Sequence, residues 1–126
     1  MQIKSMDHVN LRTYRLGEMI AWYGDVLVMP AGDRPAFPFP GAWIYAGDNP
    51  VIHLVEIEPE APSDAKPQIE HFALAATGLP DMVDRLNARG IDHELIPVPG
   101  LPIVQLHVHD PDGNHIHIDF DQAEAP

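Results

Sequence analysis

The chain has 126 residues, 45% hydrophobic and 21% charged, a composition suited to one globular domain or two small modules sharing a core. It contains no cysteine, which excludes disulfides, thiolate metal sites and a cysteine nucleophile. The formal net charge of −12, from 19 acidic and 7 basic residues, argues against nucleic acid and anionic membrane as partners and favours cationic ligands.

The start, Met1-Gln2-Ile3-Lys4, has no apolar core and does not read as a signal peptide. No apolar run approaches the ~20 residues that span a bilayer. A soluble, cytoplasmic protein is expected. Asp7-His8-Val9-Asn10-Leu11 reads as a short strand, with His8 and Asn10 on one face. Leu16, Met19, Ile20, Tyr23, Val26 and Leu27 keep helical spacing, and Pro30 and Gly32 close that helix. The proline-rich segment 34–41 predicts an edge strand or loop, in which Phe37 and Phe39 could form a pocket wall. Residues 42–46 and 51–57 read as strands around the turn Gly47-Asp48-Asn49-Pro50.

Residues 59–67 read as a surface linker, after which the pattern restarts. Glu70-His71-Phe72-Ala73-Leu74 mirrors the first strand at an offset of 63, which also carries Leu16 to Leu79, Met19 to Met82 and Tyr23 to Leu86. A second helix is predicted from about Pro80 to Arg89, with Gly90 as its stop. Strands follow over 91–98, 101–109 and, after the turn Asp110-Pro111-Asp112-Gly113-Asn114, through Phe120. The last strand matches Val51-Ile52-His53-Leu54-Val55 at an offset of 64. The chain therefore reads as one domain over 1–126 made of two related modules, 1–58 and 68–126, packed about an approximate two-fold axis. Each module runs strand, helix, three strands.

Four histidines occupy repeat-related positions: His8 with His71 on first strands, His53 with His117 on last strands. In each the flanking apolar residues point the other way, so the four imidazoles can face one groove and hold one metal ion. Imidazole suits Zn, Fe, Co, Ni and Cu better than Mg or Ca. His107 alternates with Leu106 and Val108 and is a candidate acid or base; His115 is the alternate ligand if the register slips by two. Glu56 is the nearest carboxylate to His53, but faces away from it unless a bulge intervenes. His93 and His109 read as solvated, and Trp43 and Tyr45 share a face that could contact substrate or pack in the core. Arg12, Arg15 and Arg34 are candidates for holding a substrate carboxylate.

The paired halves, the two histidine-bearing first strands and the Asp110-Pro111-Asp112-Gly113-Asn114 turn resemble the vicinal oxygen chelate superfamily, which includes glyoxalase I, extradiol dioxygenases and bleomycin resistance proteins. The resemblance spans nearly the whole chain. It implies an α+β fold of two βαβββ modules, with an open, curved mixed sheet around a metal site and helices on the outer face. It implies a divalent transition metal (Zn, Ni, Co, Mn or Fe) held by His8, His53, His71 and His117 and chelating two neighbouring oxygens of a small-molecule substrate. It also implies a homodimer. That family commonly has Glu at the position of His117, and in glyoxalase I a ligand carboxylate moves the substrate proton; a set of four histidines lacks that base. Val28 stands where the family usually ends its first helix with Gly. The reading that follows is a metal-dependent, glyoxalase-type lyase or isomerase, with His107 and Glu56 as candidate catalytic groups. A non-haem iron dioxygenase and a non-enzymatic drug-binding resistance protein are the alternatives.

Overall fold

A computed structural model of the chain describes residues 1–2, 5–59 and 69–126. Two compact units are distinguished, Met1–Pro62 and Ser63–Pro126, and each repeats one α+β plan. Of the expected linker, residues 59–67, only Pro59 is among the described residues.

The first unit runs β1 (Val9–Thr13), α1 (Leu16–Val26), β2 (Ala31–Gly32), β3 (Gly41–Ala46) and β4 (Asn49–Glu56). Its sheet has the order β1-β4-β3-β2, with β1 parallel to β4 and the other pairs antiparallel. The second unit runs β5 (Phe72–Ala75), α2 (Leu79–Ala88), β6 (Glu94–Pro97), β7 (Ile103–His109) and β8 (His115–Asp121), followed by a 3-10 turn at Gln122–Glu124. Its order is β5-β8-β7-β6, again with the parallel pair at one edge. In each unit the last strand lies between the first strand, to which it is parallel, and the strand before it in sequence, to which it is antiparallel. Among the described residues no helix is long and apolar enough to cross a membrane.

Alternation along the strands produces two cores. In the first unit, Met19, Tyr23 and Val26 of α1 are buried, as are Ile44, Ile52 and Leu54 of β3 and β4, the two strands α1 packs on. In the second, Leu79 and Leu86 of α2 are buried, together with Leu106, Val108, Ile116, Ile118 and Phe120. Each such side chain contributes about 1.5–3 kcal/mol by leaving water. One detail departs from the sequence reading. His8 and His71 precede their strands, which begin at Val9 and Phe72. β2 is two residues at Ala31–Gly32, and residues 33–40 take the loop form, one of the two expected for this segment. The first helix ends at Val26, ahead of Pro30 and Gly32.

Both helices end on a left-handed residue. In α2 that residue is Gly90, at φ +63, where glycine meets no steric penalty. In α1 it is Val28, at φ +57, a conformation that a β-branched residue adopts at a cost of about 1–2 kcal/mol. The helix starts differ too. Glu124 Oε2 accepts hydrogen bonds from Gly78 N (2.7 Å) and Leu79 N (2.9 Å), satisfying two orphan donors at the start of α2. At the start of α1, Thr13 Oγ1 accepts from Arg15 N at 3.0 Å.

Candidate metal centre

The parallel first-and-last strand pair brings imidazoles together in each unit by the same register. Asn10 pairs with His53 in one and Ala73 with His117 in the other. The histidine two residues before that partner then stacks on the last-strand histidine. His8 lies 3.8 Å from His53 between ring centroids, at 12° between planes. His71 lies 3.8 Å from His117, also at 12°. The antiparallel neighbour adds a third ring on the other side: Trp43 stacks on His53 at 4.2 Å, and His107 on His117 at 3.8 Å.

Orientation of the first ring comes from the residue before it. Asp7 Oδ2 accepts from His8 Nδ1 at 2.7 Å, and Glu70 Oε2 accepts from His71 Nδ1. A carboxylate on one ring nitrogen fixes the tautomer and leaves the other nitrogen as a ligand. Glu70 Oε1 also accepts from His115 Nδ1 at 3.0 Å, and these two imidazole hydrogen bonds hold the Glu70 carboxyl down at about 2. Sequence reasoning used Asp7 and Glu70 only to align the strands; the repeated acid-histidine dipeptide was the signal for their role.

The last-strand rings differ. His53 Nε2 donates to Pro50 O at 3.0 Å, so only Nδ1 remains. His117 is 7% exposed, and among the described residues neither of its ring nitrogens has a hydrogen-bond partner. A buried imidazole without protein partners has room for a water, an ion or a bound group at its nitrogens. His71, His115 and His117 place one nitrogen each within 4.8 Å of the others. His115, the alternate ligand of the sequence reading, therefore stands with the second unit's pair. Three uncharged nitrogen donors of this kind fit a divalent transition ion.

His107 joins the cluster. Its Nδ1 lies 3.2 Å from His115 Nε2, and its Nε2 is buried without a partner among the described residues. Burial, then the neighbouring His115, lowers its proton affinity; burial, then His107, does the same for His117. His53 is shifted the same way by burial and then by His8. A groove of about 570 Å³ opens beside the cluster, lined by Asp92, His93, Glu94, His107, His109 and His115. His93 and His109, expected to be merely solvated, belong to that wall; His93 bonds to Ile91 O and His109 stacks on His115 at 4.8 Å.

Glu56 is not brought to the imidazoles. The irregularity in the β3–β4 ladder falls at Ile44/Tyr45 opposite Val51, so alternation from His53 to Glu56 is unbroken. Glu56 shares the side of Ile52 and Leu54 and sits exposed at the end of β4, opposite Thr13. Arg15 lies 3.7 Å from Glu18 and donates to Tyr14 Oη, whereas Arg12 is exposed on β1. Tyr45 Oη donates to Asp33 O at 2.6 Å, which makes it a loop anchor.

The description "Glyoxalase/Bleomycin resistance protein/Dioxygenase superfamily" belongs to a family model that matches residues 5–118. Glyoxylase I 4 of Arabidopsis thaliana is 30% identical over 125 residues, covering 94% of this chain and 71% of that protein. Among solved structures, a glyoxalase family protein from Bacillus anthracis superposes with a TM-score of 0.77 at 22% identity, covering 96% of this chain and 98% of its own. A glyoxylase/bleomycin resistance protein/dioxygenase domain from Frankia sp. EAN1pec gives 0.77 at 17% identity, with 95% and 99% covered. A duplicated βαβββ plan, a match over nearly its full length and a relative at 30% identity agree: this chain belongs to the glyoxalase/bleomycin resistance/dioxygenase superfamily.

Proposed function

We propose that the protein is a metal-dependent, glyoxalase-type enzyme, a lyase or isomerase acting on a small substrate that offers two neighbouring oxygens. The observation that carries this reading is His117, buried and without a hydrogen-bond partner on either nitrogen among the described residues, beside His71 and His115. The similarity to Glyoxylase I 4 supports it. In this reading the metal ligands are His71 and His117 in the second unit and His8 and His53 in the first, with His115 as the alternate imidazole. A divalent cation supplies Lewis-acid stabilisation of negative charge developing on substrate oxygens.

The protein's own groups supply the rest. Asp7 and Glu70 hold His8 and His71 in one tautomer through Nδ1. His107 holds or accepts the moving proton at Nε2, with His115 behind its Nδ1 to take up the compensating charge. That assignment supplies a base without a carboxylate, and Glu56 takes no part because it faces away from His53. The small-molecule partner, a homodimeric assembly and a cytoplasmic setting belong to the same proposal.

The test is metal content and turnover on one preparation. Elemental analysis after loading with Zn, Ni, Co, Mn or Fe is expected to find a stoichiometric divalent ion that His71→Ala and His117→Ala lose. His107→Gln is expected to retain the ion and lose about 100-fold or more in turnover of 2-oxoaldehydes. Absence of bound metal in the wild-type protein, or full turnover by His107→Gln, overturns the reading.

A further inference from the structure

We infer that the first unit carries a binding site for a planar ring bearing a carboxylate, with Arg34 as its anion-binding residue. The inference deepens the proposed function, on which it rests for turnover, by naming a substrate class; its binding step stands on its own geometry.

A cavity of about 160 Å³ lies against β3 and β4, with Asn10, Arg34, Phe37, Phe39, Trp43 and His53 among its lining residues. That is close to the size of an apolar cavity known to accept a benzene ring, so one six-membered ring is the natural scale of guest. Its walls are π faces. Phe37 and Phe39 stack at 5.2 Å and 7°, Phe37 lies 6.3 Å from Trp43, and Trp43 covers His53. Phe37 and Phe39 remain 41% and 42% exposed, surface that a ring would cover.

Arg34 supplies the charge. Its guanidinium carbon sits 5.0 Å from the ring centres of both Phe37 and Phe39. Nη2 donates to Phe39 O at 3.0 Å, which occupies one of five donors. Among the described residues no carboxylate pairs with it, although the chain has 19 acidic and 7 basic residues. An arginine left without an acid in so acidic a chain, with its fork held by two rings and a carbonyl, is arranged for an external carboxylate.

The loop is built to hold this arrangement. Tyr45 Oη fixes Asp33 O, and Glu56 N donates to Pro40 O at 3.0 Å, so both ends of residues 33–40 are tied. Gly41 has no side chain because a Cβ there would come within 2.3 Å of Leu54 O and 2.9 Å of Arg34 Nη2. Three prolines, Pro35, Pro38 and Pro40, stiffen residues 34–41 and lower the cost of ordering the wall.

The experiment uses metal-stripped full-length protein carrying Trp22→Phe, so that Trp43 is the sole tryptophan, and titrates its fluorescence with benzoate, benzyl alcohol and acetate. Benzoate is expected to give saturable quenching below about 10 mM, which about nine heavy atoms reach at modest ligand efficiency. Benzyl alcohol and acetate are expected to bind about tenfold or more weakly. Arg34→Gln is expected to weaken benzoate by about tenfold or more and to leave benzyl alcohol unchanged. If Arg34→Gln unfolds by circular dichroism, Arg34→Lys takes its place: weakened benzoate binding supports the inference, and wild-type binding overturns it. Equal binding of benzoate and benzyl alcohol, or no saturation, overturns it as well. Metal loading of the same protein is measured separately. Intact loading without benzoate binding removes this inference alone, and intact benzoate binding without metal removes the metal reading alone.

Discussion

The two units share one backbone plan and differ in what they place on it. Both stack a pre-strand histidine on a last-strand histidine at 3.8 Å and 12°. In the first unit the third ring is Trp43 and the wall beyond it is Phe37, Phe39 and Arg34. In the second the third ring is His107, and the wall beyond it carries His93, His109 and His115 with Asp92 and Glu94. A duplicated scaffold keeps its register because a shift of one residue would turn every side chain over. Positions facing the groove are free of that constraint, so one copy became aromatic and cationic and the other rich in imidazole.

The sharpest way to break this comparison is to remove equivalent ligands. His117→Ala is expected to weaken divalent-metal binding by about 100-fold, or ~2.7 kcal/mol. His53→Ala is expected to cost less, because Pro50 O already occupies one of its nitrogens. Isothermal titration of both variants decides it, and equal losses would erase the proposed asymmetry.

The turns before the last strands come next. Asp110 is 5% exposed and its carboxylate accepts from Asp112 N, Asn114 N and Asn114 Nδ2 at 2.8–2.9 Å. Asp110→Ala is expected to destabilise by about 2 kcal/mol by leaving these donors without a partner. Asp48, exposed in the corresponding turn of the first unit, is expected to shift stability by less than about 0.5 kcal/mol on replacement by Ala. Urea unfolding of both variants measures the difference.

The helix ends offer a swap. Gly90→Val is expected to destabilise by about 1.5 kcal/mol, and Val28→Gly to stabilise by about 0.5–1 kcal/mol, since Val28 is exposed and loses strain but little packing. Opposite signs in thermal melts are the expected result; like signs would show that the Val28 side chain has a packing role.

Acid is expected to act gradually. His53, His107 and His117 hold protons less readily in the folded chain than at the ordinary value of 6.5. The unfolded chain therefore takes up protons first as pH falls. Their contribution is complete above pH 6.5 and is lost as pH drops through the lowered folded values. His107, His71 and His115 all face His117, whereas His8 faces His53, so His107→Gln is expected to flatten the pH dependence of the melting temperature more than His8→Gln.

The sequence by itself determined the elements and their duplication. Alternating strands, helical spacing and the 63-residue offset are local or repeat patterns, and burial of one face enforces them. They were enough to mark His8, His53, His71 and His117, and also the aromatic wall at Phe37 and Phe39. Tertiary structure decided what pairing and loop closure control. Strand register set His107 against His117 and left Glu56 on the far side of β4. The chain's last turn carried Glu124 back to the start of α2, 45 residues away, a contact that no local pattern encodes. Whether an imidazole is satisfied, like His53, or left bare, like His117, depends on which carbonyl lies within 3 Å, and only packing supplies that.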